Sequence, residues 1–144
     1  MRSFVYGALI EPGDEHGLVV SFPDVPEAIT QGEDQADARA MAEEALGLAL
    51  LTYPQRGLPL PKARHKGRDL VPISPEAEIA AKLAVLEAFT AAGIAKAELA
   101  RRMRKDEKEV RRILDPKHAT KLPALVQALR ALGKRLVIGV DAAA

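Results

Sequence analysis

Arginine and lysine side chains concentrate between Ala95 and Leu132, and their spacing suits hydrogen bonding to nucleic acid. From Glu107 to Leu114 the apolar residues recur three and four positions apart, which is the period of one helix face. The opposite face presents Arg111 and Arg112, whose guanidinium groups can donate paired hydrogen bonds to guanine edges or bridge phosphates. We therefore predict that this helix lies in the major groove of DNA, with neighbouring cations on the backbone. The predicted DNA-binding residues are Lys96, Arg101, Arg102, Lys105, Glu107, Lys108, Arg111 and Arg112.

Two short helices joined by a tight turn must position these side chains. The first begins near Ala97, and its Leu99 and Met103 lie four residues apart on one face. Asp106 is placed to cap the second helix, and Glu109 three residues later completes a capping-box pattern. This order predicts a helix-turn-helix. The simpler alternative is a solvated basic face on an ordinary helical bundle.

Flanking helices complete the C-terminal half. Ser74-Pro75-Glu76 predicts a helix start, with a cap, a proline at the first position and an acid in the first turn. Gly93 ends that helix, and a last helix covers residues 120–132. Residues 134–140 predict a terminal β-strand, which we expect to pair with the same strand of a second copy or, alternatively, to join the N-terminal sheet. A two-fold dimer of this kind would space its recognition helices about 34 Å apart.

Short apolar runs and one long helix account for the N-terminal half. Strands are predicted at 3–10, 18–22 and 28–32, and turn residues join the first two as a hairpin. Asp34 caps a helix of about 17 residues, and Pro72 confines a fourth strand at 70–73 to an edge or end of the sheet. The predicted fold class is α+β, with a β-β-β-α-β domain at 1–73 and a helical domain at 74–144.

The net charge of +1 is unevenly distributed. Residues 1–53 hold two basic and ten acidic residues, a charge of −8, whereas residues 76–144 hold fourteen basic and nine acidic residues, a charge of +5. The basic part suits nucleic acid, and the acidic part repels nucleic acid and suits a basic protein. With no cysteine and no long apolar run, we predict a cytoplasmic protein without disulfides, signal peptide or membrane span.

No set of residues predicts catalysis. His16, His65 and His118 are isolated in the sequence and lie in loop-like stretches. The predicted strand interiors hold no acid, and Glu11 and Asp24 lie beyond strand ends, so the carboxylates that a two-metal nuclease requires are missing. We therefore expect no enzymatic activity, no cofactor and no metal site.

Two stretches resemble the HicB antitoxin family. The first comprises YGALIEP at 6–12, GLVVSFPDVP at 17–26 and AITQGE at 28–33, and the second comprises AELARR at 97–102 and EKEVRRILDP at 107–116. The resemblance implies a partial ribonuclease H-like domain without nuclease activity, followed by a helix-turn-helix that represses the protein's own promoter. It also implies a partner, the HicA toxin, which is a small basic RNA-cleaving protein. The expected toxin contacts, near strand ends, are Asp24, Glu27, Glu33 and Asp34.

The chain departs from the usual family pattern at several positions. Glu27 replaces a common glycine, and Leu18 stands near a common aromatic position. In the repressor-like motif, Arg104 stands where the turn commonly has glycine, so we expect it to adopt left-handed backbone at a cost on the order of 1 kcal/mol. Lys105 replaces a buried aliphatic residue and is expected to bury its stem while exposing its ammonium group.

Three functions fit these observations to different degrees. The first is an antitoxin that neutralises an RNA-cleaving toxin, represses its own operon and forms a homodimer or tetramer. The second is a stand-alone transcriptional regulator whose N-terminal domain senses a small molecule. The third, a nuclease, requires catalytic carboxylates that the sequence does not offer.

Overall fold

The computed structural model describes residues 1–142 of the 144-residue chain. Within that range four strands and five helices follow one another. Their bounds are β1 Tyr6–Pro12, β2 Leu18–Ser21, β3 Ile29–Gly32, α1 Gln35–Gln55, β4 Val71–Ile73, α2 Ala77–Ala92, α3 Lys96–Met103, α4 Glu107–Ile113 and α5 Leu122–Ala131. The α+β class is confirmed, because an antiparallel sheet with one helix precedes a helical region.

The sheet has the strand order β3-β2-β1-β4, and every neighbouring pair is antiparallel. The predicted β1–β2 hairpin is confirmed, and the Gly13 N–H closes it by donating to the Gly17 carbonyl at 2.9 Å. The predicted bounds of β1 were wrong at both ends, because the strand begins at Tyr6 and continues to Pro12. Pro12 is tolerated there because it occupies the last register position of the strand. Pro72 lies on the edge strand, as predicted.

Helix α1 packs against one face of the sheet. Asp34 caps it, accepting a hydrogen bond from the Asp37 N–H at 2.8 Å, as predicted. Strand and helix approach so closely at Gly32 that a Cβ there would collide with the Ala38 backbone. The helix has 21 residues, longer than the predicted 17 or so, because Pro54 is accommodated in its last turn. A proline there removes a single hydrogen bond near a helix end, which is less costly than in mid-helix.

Two clusters of buried apolar side chains form the interior, and α2 contributes to both. Leu83 packs with the sheet and α1, whereas Ala81 and Val85 pack with α3, α4 and α5. The predicted helix start, with Ser74 as the cap and Pro75 as the first residue, was wrong by two residues, since α2 begins at Ala77 after Glu76 and has no side-chain cap. Pro75 is instead buried against Gly47 of α1. The proposed domain boundary after residue 73 stays a prediction.

The segment after α5 is not a strand within the described protomer. Residues 134–142 have no regular secondary structure, and the four-stranded sheet contains no fifth strand, so the alternative of joining the N-terminal sheet was wrong. A short apolar run has no stable extended form without a partner ladder. Val137, Ile138 and Val140 accordingly remain exposed. Pairing with a second copy of the chain stays a prediction.

Candidate functional site

Helices α3 and α4 are joined by a turn at Arg104. Arg104 adopts left-handed backbone with φ of 55° and ψ of 44°, as predicted, and it is the one non-glycine residue with positive φ among residues 1–142. The turn is closed by the Lys105 N–H, which donates to the Ala100 carbonyl at 3.0 Å. Such a conformation costs on the order of 1 kcal/mol for a residue with a Cβ, so surrounding packing must hold it.

Asp106 begins α4 by accepting a hydrogen bond from the Glu109 N–H at 2.8 Å, which confirms the predicted cap. The second hydrogen bond of the predicted capping box, from the Asp106 N–H to the Glu109 carboxylate, was wrong. The Glu109 carboxylate binds the Lys105 ammonium at 3.0 Å instead, because that cation lies one turn earlier in reach of the same side chain. Lys105 is partly buried with its ammonium in this ion pair, which matches the expected burial of its stem.

The inner faces of the helical pair are anchored in the C-terminal apolar cluster. Leu99 of α3, Val110 and Ile113 of α4 and Leu125 of α5 are each almost completely inaccessible to solvent. Fixing both helices by this packing determines which side of α4 faces outward. Residues 107, 108, 111 and 112 are all exposed, as the sequence predicted.

A buried lysine holds the C-terminal end of α4. Lys82 of α2 is only 4% exposed, and its Nζ lies 3.1 Å from the Arg112 carbonyl and 2.7 Å from the Ile113 carbonyl. The same ammonium reaches the Asp115 carbonyl at 3.2 Å and the Thr120 hydroxyl at 2.7 Å. Burial lowers the pKa of Lys82 to about 8, although the Asp115 carboxylate opposes this shift. The ammonium thus satisfies carbonyls that a helix end leaves without intrahelical donors.

Sequence reasoning missed Lys82. The available signal was a cation among apolar residues in the middle of α2, in the run Ala80-Ala81-Lys82-Leu83. A lysine at such a position is rarely buried unless its ammonium group has partners. Those partners come from residues about thirty positions later, so the chain order alone does not reveal them.

The predicted DNA-binding cations differ in how free they are. Lys96, Lys108 and Arg112 have no side-chain ion pair among the described residues. Arg111 lies 3.3 Å from the Glu107 carboxylate on the same face of α4. The exposed face of α4 therefore has cations available for an anionic partner beside an acid that partly neutralises one of them.

Arg101 and Arg102 share one carboxylate. Glu98 accepts from the Arg101 guanidinium at 2.6 and 2.8 Å and from the Arg102 guanidinium at 2.9 Å. These hydrogen bonds, those from Arg101 first, lower the pKa of Glu98 to about 2. The three side chains form an exposed network with one net positive charge, and Arg102 also donates to the Ala131 carbonyl at 3.3 Å.

Three of the four predicted toxin contacts are engaged inside the protein, and Asp24 and Asp34 are the first two. The Asp24 side chain is 6% exposed and accepts at 2.8 Å from the backbone N–H groups of Arg64 and His65 and contacts His65 Nδ1 at 2.6 Å. Desolvation opposes ionisation of Asp24, but these hydrogen bonds outweigh it and lower its pKa. Asp34 is the cap of α1. Neither carboxylate is fully available for a partner.

The four predicted contacts also do not form one patch. Glu27 accepts from the Tyr53 hydroxyl at 2.7 Å and lies 3.6 Å from the Arg56 guanidinium, which places it at the C-terminal end of α1. The hydrogen bond from Tyr53 is the main reason that the pKa of Glu27 is lowered. Glu33 and Asp34 lie at the other end of the helix, about 28 Å away at 1.5 Å per residue. Of the four predicted toxin contacts, Glu33 is the one whose side chain is exposed and forms no hydrogen bond with any residue of 1–142.

Within residues 1–142, no three histidine, cysteine, aspartate or glutamate side chains come close enough to hold a metal ion. None of the helices in that range combines the length and apolar character that crossing a bilayer requires.

These features define an α+β protein with an antiparallel sheet, an acidic N-terminal part and a basic helical part. No family model matches the chain. Individual proteins do: Antitoxin HicB of Escherichia coli is 40% identical over 135 residues, covering 91% of this chain and 95% of that protein. Antitoxin HicB 1 of Photorhabdus laumondii is 34% identical over 141 residues, covering 98% of this chain and 90% of the relative. Antitoxin HicB 2 of the same organism is 39% identical over 123 residues, covering 85% of this chain and 87% of the relative.

The chain belongs to the HicB antitoxin family. This confirms the resemblance found in the sequence and supports an antitoxin role in a toxin–antitoxin system. The relatives carry the names of antitoxins rather than of enzymes, in line with the expectation that the chain does not catalyse a reaction.

Proposed function

We propose that this HicB-family protein binds and neutralises a HicA-type mRNA-cleaving toxin through its acidic N-terminal domain and represses its own operon through a helix-turn-helix. The observation that carries the proposal is the division of charge, −8 over residues 1–53 and +5 over residues 76–144, in a chain with antitoxin relatives. A basic toxin and an anionic nucleic acid are attracted to opposite parts of such a chain.

The arrangement of α3, its turn and α4 supports DNA binding. Arg112 and Lys108 are exposed on the outer face of α4 and form no ion pair with any residue of 1–142, and a recognition helix presents such side chains to base edges. Lys96 and the Glu98 network lie on α3, where they can approach the phosphate backbone. The acid at Glu107 can accept from a cytosine amino group.

Self-association belongs to the same proposal. Val137, Ile138 and Val140 are 52%, 65% and 99% exposed in the single protomer. Pairing of residues 134–140 between two copies would bury these side chains and supply the missing ladder hydrogen bonds. A two-fold dimer would then present two copies of α4 to successive major grooves.

The test separates the two activities in the full-length chain. We expect the double variant Arg111→Ala/Arg112→Ala to lose operator binding in a mobility-shift assay yet still rescue cells that express the toxin. The matched control Arg39→Ala, on acidic α1, should retain both activities. Loss of rescue together with intact operator binding would contradict the assignment of α4 to DNA, and failure of the wild-type chain to rescue would remove the antitoxin function.

A second function, a stand-alone regulator that senses a small molecule, is favoured by one observation. An open cleft of about 490 Å³ lies between residues 1–7 and residues 62–72, and its lining includes Lys62, Lys66 and Arg2, which is paired with Glu87. Its cationic lining would suit a small anion. A change in operator affinity on adding small anions, in the absence of any protein partner, would support this function over the first.

A further inference from the structure

We propose that the toxin docks on the side of the sheet opposite α1, which we call the open face: Leu9 and Glu11 of β1, Val19 and Ser21 of β2, and Ile29 and Gln31 of β3. The inference rests on the proposed function and locates its protein interface. It differs from the expected contacts at Asp24, Glu27 and Asp34, whose carboxylates are engaged within the protein, and it retains Glu33 at the margin of the face.

Strand register places the open-face residues side by side. Leu9 pairs with Ser21, which pairs with Ile29, and in the next row Glu11 pairs with Val19, which pairs with Gln31. Between them along the strands, Val20 of β2 is buried in the cluster shared with α1, and Ile10 of β1 packs against the same cluster. Because successive side chains of a strand point to opposite faces, both rows point away from the helix.

The open face exposes apolar side chains that are unusual at solvent-facing strand positions. Ile29 on β3 is 66% exposed, Val19 on the neighbouring β2 is 38% exposed, and Leu9 on β1 is half-buried. A one-sided antiparallel sheet normally presents polar residues to water. A contiguous apolar patch on such a surface is typical of a protein interface.

Part of this side of the sheet is already covered, which limits where a partner can sit. A Cβ at Gly7 would lie 2.8 Å from the Leu70 side chain and 2.9 Å from the His65 carbonyl, so residues 65–70 cross the sheet at that end. The rows containing Leu9 and Val19 lie farther along the strands, toward the β1–β2 hairpin. The free area is therefore the hairpin half of the sheet.

The charge around the open face identifies the occupant as a basic protein. Glu11 lies on the face, Asp14 and Glu15 lie at the hairpin tip, and Glu33 follows β3; within the described residues none of the four pairs with a cation. Nucleic acid would be repelled, and a second copy would bring like charges together. A basic partner that presents apolar side chains satisfies both features of the surface, and the proposed toxin has that charge.

The test compares two lysine substitutions of exposed apolar residues in the full-length chain. Ile29→Lys lies on the open face, and the matched control Leu48→Lys lies on the outer surface of α1, where the leucine is 59% exposed. The probe is a purified HicA-type toxin, with binding measured by calorimetry. We expect Ile29→Lys to weaken toxin binding by about 30-fold or more, the effect of losing an interface hot spot, and Leu48→Lys to change it less than about threefold.

Each outcome separates this inference from the proposed function. If the wild-type chain binds the toxin and Ile29→Lys binds equally well, the open face is not the interface although the antitoxin function stands. If Leu48→Lys weakens binding and Ile29→Lys does not, the partner docks on the α1 side. If the wild-type chain does not bind the toxin at all, both proposals fail. Unchanged melting temperatures and operator affinities of the two variants exclude misfolding as the cause of a loss.

Discussion

Replacement of Lys82 by methionine is the most direct test of how α4 is held. The change keeps an unbranched side chain as far as Cε and removes the ammonium that contacts the carbonyls of Arg112, Ile113 and Asp115 and the Thr120 hydroxyl. The Ile113 carbonyl and the Thr120 hydroxyl are the buried partners of the set, since their hydrogen bonds with Lys82 are fully enclosed. The Ile113 carbonyl would be left without a donor, and the Thr120 hydroxyl would keep only a 3.4 Å contact with His118 Nδ1.

The expected destabilisation follows from two opposing contributions. Leaving a buried polar group unsatisfied costs about 1–3 kcal/mol, so the unpaired Ile113 carbonyl and the weakened bonding of Thr120 together cost roughly 2–4 kcal/mol. Removing the ammonium also relieves the desolvation that lowers the pKa of Lys82, and this offsets part of the loss. We expect the free energy of unfolding to fall by about 2 kcal/mol, which corresponds to a melting temperature lower by roughly 4–8 °C for a chain of this size.

The assay is thermal and urea unfolding of full-length protein, followed by circular dichroism. The matched control is Lys121→Met, because Lys121 is an exposed lysine near the same helices. The control should melt close to the wild type, and operator affinity should fall for Lys82→Met alone because the end of α4 loses its anchor. A Lys82→Met protein that melts within about 1 °C of the wild type would refute the reasoning.

Three further predictions concern DNA, acid and close packing. Arg112→Ala should weaken operator binding by about 1–3 kcal/mol if the side chain contacts a base. If the side chain contacts phosphate, the slope of log affinity against log salt concentration should instead become shallower by about 1. No change in affinity or in this slope would exclude Arg112 from the interface. Folding lowers the pKa of Asp24, so the stability that the ionised carboxylate contributes is present above the unfolded pKa of 3.8 and is lost as the pH falls through the folded pKa. The difference in unfolding free energy between wild type and Asp24→Asn should therefore shrink in that acid range. A difference that stays constant with pH would contradict this. Gly32→Ala should destabilise the protein by about 1–3 kcal/mol in urea unfolding, because its Cβ collides with α1, whereas Gly139→Ala, with open space around it, should be neutral.

Local signals in the sequence predicted much of the fold correctly. The N-caps at Asp34 and Asp106, the left-handed turn at Arg104 and the edge position of Pro72 each depend on a few neighbouring residues, and each was confirmed. The start of α2 was wrong because Pro75 is used for packing against α1, which is a tertiary contact. Tertiary packing overrides local helix signals in this way whenever a buried contact contributes more than a cap.

The candidate site was less predictable, because its side chains depend on long-range partners. The exposure of Arg111 and Arg112 follows from helix periodicity and was predicted correctly. The involvement of Asp24 with the backbone of residues 64 and 65 joins positions forty residues apart, and no spacing in the sequence indicates it. The same applies to the open face, since only the strand register shows that Leu9, Val19 and Ile29 are neighbours.

Helix α2 connects the two parts of the molecule through adjacent residues. Leu83 packs in the cluster beneath the sheet, and Lys82 beside it holds the C-terminal end of α4. Successive side chains of a helix point about 100° apart. Neighbouring residues of α2 can therefore pack in two different apolar clusters only because the helix lies between those clusters. The surface proposed for DNA and the sheet proposed for the toxin are thus supported by one rigid element. Substitutions in α2 should consequently affect both activities, in contrast to Ile29→Lys and Arg112→Ala, which should each affect one.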